Sequence, residues 1–127
     1  MTRHAISTAG APAAIGPYSQ GIVSDGLLFC AGQAVLDPAT GALVEGGIEP
    51  ETERVMANLA AVLDAAGCSW ADVIKTTIFL VDMADFATVN AIYGRFVIDP
   101  PPARSTVGVA ALPKGARVEI EVVARLG

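Results

Sequence analysis

The segment DVIKTTIFLV, residues 72–81, most constrains how this chain can fold. Its β-branched and aromatic residues predict a strand, and successive side chains of a strand point to opposite faces of a sheet. A sheet with one face in water alternates cleanly between apolar and polar residues. Here both faces carry apolar groups, with Ile74, Thr76, Ile78 and Leu80 on one and Val73, Lys75, Thr77, Phe79 and Val81 on the other. Both faces of the sheet are therefore expected to be covered.

Two predicted helices can cover one of these faces. In the segment 46–67 apolar residues recur at three- and four-residue steps, and Pro50 suits the first turn of a helix. A second helix is predicted within 81–97, with Asp82 or Asp85 as its N-cap. Two helices cover only one face of a sheet this small, so we expect the other face to meet a second copy of the chain.

The order of the elements predicts an α+β fold. The chain has 127 residues, 53% of them hydrophobic, which fits one core and a single domain over residues 1–127. After a short leading strand the predicted order is β-β-α-β-α-β, a ferredoxin-like arrangement with a mixed sheet and both helices on one face. The predicted strands are 4–7, 19–25, 27–34, 72–81, 104–111 and 117–126.

The composition argues against several kinds of site. Cys30 and Cys68 lack the spacing of a metal-binding CxxC motif and are too few for a secreted disulfide framework. The one histidine, His4, lies near the N-terminus, so neither a zinc site nor a Ser-His-Asp or Cys-His arrangement is indicated. The glycines match neither a P-loop nor a GxGxxG motif, so no nucleotide cofactor is expected.

The charge and hydropathy of the chain limit the kinds of partner that it is expected to bind. The formal net charge is −5 and the eight basic residues are scattered, so no nucleic-acid partner is expected. No stretch approaches the roughly 18 apolar residues of a membrane span, and no apolar leader opens the chain. We therefore expect a cytoplasmic protein that has no membrane partner.

Four side chains remain as candidates for chemistry. In RVEIEVV, residues 117–123, Glu119 and Glu121 alternate with apolar residues and are expected on the face opposite the helices. A carboxylate shielded from water has a raised pKa, which suits a base that activates water. Arg104 offers a planar fork that can grip a carboxylate at two points. A structural interpretation remains open for each, namely exposed strand residues for these three and a core residue for Tyr18.

Four segments of the sequence closely resemble the reactive-intermediate deaminases of the RidA/YjgF family, in order and spacing. They cover nearly the whole chain, and the pattern PxRSxV…LPxGxxVEIE is the most specific of them. The segments are IGPYSQG, FCAGQ, IKTTIFLVDMADFATVNAIYGRF and PPARSTVGVAALPKGARVEIEVVA.

This resemblance implies a fold, an assembly and an activity. The fold would be chorismate-mutase-like, in a homotrimer whose sheets form a central barrel and whose active sites lie in clefts between adjacent subunits. The activity would be hydrolysis of 2-imino acids, such as 2-iminobutanoate and 2-iminopropanoate, to 2-oxo acids and ammonia. Neither a cofactor nor a metal would be required.

The resemblance also assigns residues to the site. Arg104 would hold the substrate carboxylate and Glu119 would position the attacking water, so these two are the predicted catalytic residues. The predicted substrate-binding residues are Tyr18 at the pocket wall, Ala31 and Gly32 through their backbone groups, Asn90 on a helix, and Thr106 beside Arg104 on the same face of the strand.

Three alternatives remain open from the sequence. Relatives with the same arginine and glutamate are assigned to aminoacrylate breakdown in pyrimidine catabolism. A non-catalytic, ligand-binding or chaperone-like trimer would keep the cleft without the reaction, although the presence of Arg104 with Glu119 argues against it. Some relatives carry a ribonuclease label, for which an acidic chain without a basic patch is poorly suited.

Overall fold

The computed structural model describes residues 2–33 and 35–127. Their strands form one six-stranded sheet. The strand order is β1-β2-β3-β6-β4-β5. Only the β4–β5 pair is parallel, and the other four pairs are antiparallel, so the predicted mixed sheet is confirmed. The strands are β1 (His4–Ile6), β2 (Gly21–Ser24), β3 (Leu27–Gln33), β4 (Val73–Leu80), β5 (Ala103–Gly108) and β6 (Val118–Arg125).

Two helices, α1 (Ile48–Ala65) and α2 (Phe86–Tyr93), contact each other, and α1 also packs on β3 and β6. The helix-facing side of the sheet is buried at alternate residues, as the 2.0-residue period of a strand requires. Both predicted helices are confirmed, and they lie on one face of the sheet. The largest fully buried apolar side chains are Leu28, Val35, Val55, Met56, Leu59, Val62, Leu63, Ile78, Leu80, Val89 and Ile120.

The order of elements differs from the prediction in one respect. Two strands, β5 and β6, follow α2, whereas the predicted pattern after the leading strand counted only one. The final strand β6 inserts between β3 and β4, so the C-terminal strand lies inside the sheet and β5 becomes its edge. The segments predicted as strands were all found, and the error lies in how they were combined.

Helix α2 is shorter than the predicted segment 81–97. A single 3₁₀ turn at Met83–Asp85 comes first, because the Asp82 side chain accepts a hydrogen bond from the backbone N–H of Ala84, at 2.9 Å. The α-helix then begins at Phe86 and ends at Tyr93. Asp82 is thus the side-chain cap of the whole turn-and-helix segment.

A β-bulge changes the predicted facing at the start of β4. The register of β4 against β6 shifts between Val73 and Lys75. Val73 is therefore buried, and Ile74 is 44% exposed, which reverses the predicted facing of these two residues. From Thr76 onward the alternation follows the prediction.

The face of the sheet away from the helices, here called the open face, keeps large apolar side chains in contact with solvent. Phe29 on β3 is 45% exposed and Val107 on β5 is 40% exposed. The homo-oligomer expected from this two-sided pattern remains a prediction. In the described part of the chain, no helix is both long and apolar enough to cross a bilayer.

Candidate active site

Four of the predicted site residues line one cavity of about 520 Å³, here called the Glu119 cavity. Tyr18 comes from the loop before β2, Ala31 and Gly32 from β3, and Glu119 from the neighbouring strand β6. Adjacent strands β3 and β6 thus bring the glutamate beside the two small residues. The remaining lining residues are Pro12, Ala13, Ile15, Gln20, Gln33, Leu36, Pro113 and Lys114.

Gln20 fixes the loop that forms one wall of the Glu119 cavity. The sequence did not reveal this role. Its side chain is buried and binds only backbone groups of the preceding loop. Oε1 accepts from Thr8 N–H at 2.7 Å, and Nε2 donates to Pro12 O at 2.7 Å and to Thr8 O at 3.1 Å. The carbonyl of Gln20 accepts the N–H of Ala31 at 2.9 Å, so the loop is tied to β3. The only sequence signal for this role is that Gln20 is a polar residue directly after Tyr18 and Ser19.

The Glu119 carboxyl lies directly over Gly32. A Cβ added to Gly32 would lie 2.8 Å from Cδ and 3.0 Å from Cγ of Glu119, so only glycine leaves room for the carboxyl here. Among the described residues the carboxylate has no hydrogen-bond or ion-pair partner. Burial, with a smaller contribution from the like charge of Glu121, raises the pKa of Glu119 above its usual value. This is the environment predicted for a base.

The other three predicted residues lie in a second group, the Arg104 cluster, formed by Phe86, Asn90, Tyr93, Arg104 and Thr106. The Arg104 Nη1 donates to Asn90 Oδ1 at 2.7 Å. The guanidinium carbon lies 5.1 Å from the centre of the Tyr93 ring and 5.6 Å from that of Phe86. Helix α2 therefore fixes the arginine from one side.

Two polar groups of the Arg104 cluster remain available to a ligand. Within residues 2–33 and 35–127 no carboxylate forms an ion pair with Arg104, so its charge is available to an anion. The Thr106 hydroxyl oxygen is buried and has no hydrogen-bond partner in the same part of the chain. Buried polar atoms are nearly always satisfied in native proteins, so a group from outside the chain is expected here.

In a single chain the two groups lie on opposite faces of the sheet. Arg104 pairs in register with Thr76, which is buried under the helices, whereas Glu119 pairs with Phe79 on the open face. Paired residues on adjacent strands share a face. One chain therefore does not unite Arg104 with Glu119, and a site containing both needs two copies.

Cys30, Cys68 and His4, which the sequence did not favour as site residues, lie outside the Glu119 cavity and the Arg104 cluster. Cys30 and Cys68 are free, buried thiols, and burial raises the pKa of Cys30 to about 12, which leaves it protonated and unreactive at neutral pH. His4 is exposed on β1. In the part of the chain that the structure describes, no group of three or more His, Cys, Asp or Glu side chains could hold a metal ion.

The chain is similar in sequence to known proteins over almost its whole length. A family model described as endoribonuclease L-PSP matches residues 8–126. A RutC family protein of Synechocystis is 54% identical over 128 residues, covering 99% of this chain and 98% of its own. The human 2-iminobutanoate/2-iminopropanoate deaminase is 48% identical over 127 residues, covering 100% of this chain and 93% of its own.

The fold is shared with solved structures of the same group. The crystal structure of Escherichia coli TdcF with bound serine superposes with a TM-score of 0.92 at 38% identity, covering 98% of this chain and 99% of that one. Sequence and fold agree over almost the whole length, and the segments that carried the resemblance supply residues to both the Glu119 cavity and the Arg104 cluster. The chain belongs to the endoribonuclease L-PSP family, which is the RidA/YjgF family of reactive-intermediate deaminases.

Proposed function

We propose that this chain is a hydrolytic deaminase that converts 2-imino acids, such as 2-iminobutanoate and 2-iminopropanoate, to 2-oxo acids and ammonia. The observation that carries the proposal is the presence of two charges of opposite sign, neither of which has an ion-pair partner among the described residues. One is a guanidinium held by α2 without a carboxylate partner, and the other is a half-buried carboxylate with a raised pKa. A full-length human relative carries the same activity in its name.

The active site is proposed to form between copies of the chain. In a homotrimer with a chorismate-mutase-like arrangement, the open faces would line a central barrel and cover Phe29 and Val107. The Arg104 cluster of one copy would then close the Glu119 cavity of the next. The exposed apolar open face and the placement of the two groups on opposite faces support this assembly.

Binding of the substrate follows from the free hydrogen-bond donors. The substrate carboxylate would bind to the guanidinium of Arg104, whose Nη1 is already oriented by Asn90. The unpartnered Thr106 hydroxyl lies two residues further along the same strand face and can bind the same end of the substrate. Backbone groups of Ala31 and Gly32 would contact the imine end, with Tyr18 as the wall of the pocket.

The chemistry requires an oriented water and a base. A protonated imine carbon is electrophilic, so water can add to it once the carboxylate is fixed. Glu119 takes one proton from the water as the C–O bond forms and a tetrahedral carbinolamine results. Glu119 then returns this proton to the nitrogen, the C–N bond breaks with release of ammonia, and the hydroxyl oxygen loses its proton to water as the carbonyl of the 2-oxo acid forms. Every step uses groups of this chain and water, without a cofactor. The reaction is proposed to occur in the cytoplasm.

A coupled assay tests the proposal. Threonine dehydratase supplies 2-iminobutanoate, and the appearance of 2-oxobutanoate is followed with and without the protein. The parental chain should accelerate it, and Arg104→Ala and Glu119→Gln should each lower the rate by about 10²–10³ while the circular dichroism stays unchanged. Arg95→Ala, which removes an exposed arginine two residues after the end of α2, is the control. An Arg104→Ala rate close to the parental one would contradict the assignment.

A further inference from the structure

Lys114 adopts a backbone conformation that lysine rarely takes. It lies in the turn before β6 with φ 59° and ψ 22°, and the following Gly115 has φ 73°. The N–H of Ala116 donates to Pro113 O at 3.2 Å across the turn. These values are those of a type I′ turn, whose first central position favours Asn, Asp or Gly. A long side chain there is held in the left-handed region at a cost.

Local turn chemistry explains the comparable residue but not Lys114. Asp25 is the other non-glycine residue with positive φ in the described part of the chain. It precedes Gly26 in the β2–β3 hairpin, where Asp-Gly is a preferred pair. No such preference accounts for a lysine at position 114. Left-handed non-glycine residues concentrate at functional sites, so the position of the Lys114 side chain needs another reason.

The turn places Lys114 in the lining of the Glu119 cavity. Lys114 and Glu119 are the only Lys, Arg, Asp or Glu residues among those that line it. Across the described residues Lys114 forms no ion pair, so its charge is not used to hold the fold. The chain as a whole has a net charge of −5, which repels an anionic substrate.

We propose that Lys114 is a specificity-determining residue that attracts anionic substrates into the Glu119 cavity. This inference rests on the proposed function, in which the substrate carries a carboxylate. That carboxylate approaches a cavity whose base, Glu119, has the same charge. The Lys114 ammonium offsets the repulsion during entry, before Arg104 of the neighbouring copy binds the carboxylate. Lys114 therefore acts on capture of the substrate and not on the chemical step.

The test replaces Lys114 with asparagine, a residue that favours the left-handed backbone conformation of this position. Lys114→Asn should raise KM about fivefold at low ionic strength and leave kcat unchanged, because one attractive charge is lost. The difference should shrink below about twofold at high ionic strength, where charges are screened within a few ångströms. The thermal midpoint should rise by about 2 °C, because Asn suits a left-handed position better than Lys. If Lys114 had a purely structural role, replacing it would not raise the stability of the protein and weaken the capture of the substrate at the same time.

Two matched variants complete the experiment. Arg95→Asn removes the same charge from an exposed site, where Arg95 forms only a long 4.0 Å pair with Glu53. It should leave KM at the parental value, and Lys114→Arg should retain low KM and its salt dependence. If Lys114→Asn and Arg95→Asn have equal KM values at low ionic strength, the inference is overturned.

A binding measurement separates this inference from the proposed function. Calorimetry with 2-oxobutanoate, the anionic product, should show about fivefold weaker binding for Lys114→Asn than for Arg95→Asn at low ionic strength. Equal affinities would overturn the role of Lys114 even in an active deaminase. A parental protein that binds 2-oxobutanoate through Lys114 but does not hydrolyse imines would contradict the proposed function alone.

Discussion

Gly32 determines where the Glu119 carboxyl can lie. Its φ is not positive, so alanine could adopt the backbone, but the added Cβ would overlap the carboxyl of Glu119. Gly32→Ala should therefore displace the proposed base, Glu119, and lower kcat by about 10², the cost of a displacement of roughly 1 Å at a reacting group. Steady-state kinetics of imine hydrolysis would measure this effect.

Gly108→Ala is the matched control for this substitution. Gly108 lies in β5, and its added Cβ would meet the Met83 side chain at 3.4 Å, which can move away. Its kcat should stay close to the parental value. Equal losses in both variants would indicate a general effect on the sheet and would remove the specific role of Gly32.

Glu121 tunes the pKa of Glu119 from the same face of β6. Its negative charge is the second cause, after burial, of the raised pKa. A general base must be ionised to accept a proton, so, with Glu119 in the proposed role, activity should fall as pH decreases through that raised pKa. Glu121→Gln removes the like charge and lowers the pKa of Glu119, so the acidic limb of the kcat/KM profile should move to lower pH. A limb that stays in place or moves upward would show that Glu119 is not the titrating base.

At the scale of elements, one hydroxyl pair fixes α2 on β4. Thr76 Oγ1 and Tyr93 OH are both buried and lie 2.8 Å apart. Tyr93 also contacts Arg104, so this contact sets the position of the Arg104 cluster on the sheet. Tyr93→Phe or Thr76→Val alone should lower the free energy of unfolding by about 1–3 kcal/mol, because each leaves a buried hydroxyl unpaired.

The double variant distinguishes a paired contact from two separate ones. Thr76→Val with Tyr93→Phe removes both hydroxyls and should cost less than the sum of the single changes. Urea unfolding at one fixed protein concentration would give these values, since the proposed association of the chains would contribute to stability. Additive costs would mean that the two hydroxyls do not depend on each other.

The elements show which features a sequence predicts well. The alternation of Val118, Ile120 and Val122 with Glu119 and Glu121 predicted the burial of β6 correctly, because a strand has a fixed period of two. The bulge at Val73 was missed, since it depends on pairing with β6 and leaves no local signal. The position of β6 inside the sheet is likewise a property of long-range pairing.

The sequence predicts residues for the candidate site but not their placement in space. Family motifs identified Arg104 and Glu119, whereas their placement on opposite faces follows from the parallel register of β4 and β5. Gln20 was missed because a buried glutamine that binds backbone groups has no distinctive sequence pattern. Lys114 was overlooked because the sequence does not reveal its left-handed backbone.

At the scale of the whole molecule, the Arg104 cluster and the Glu119 cavity lie on opposite faces of the sheet of a single chain. The Arg104 cluster faces the helix side at the β5 edge, and the Glu119 cavity opens on the other side of the sheet. In the proposed homotrimer there would be three sites, each taking Arg104 from one copy and Glu119 from its neighbour. Activity then depends on which variants are adjacent in the ring.

Mixed trimers test this arrangement directly. Arg104→Ala and Glu119→Gln are unfolded together in equal amounts and refolded, and their mass is measured by light scattering against three times the 12.9 kDa of one chain. Random mixing places an intact Arg104 beside an intact Glu119 at one interface in four, so roughly a quarter of the parental activity should return. Each variant refolded alone should stay inactive, because every interface lacks one group. If both residues act within one chain, the mixture should be no more active than its components.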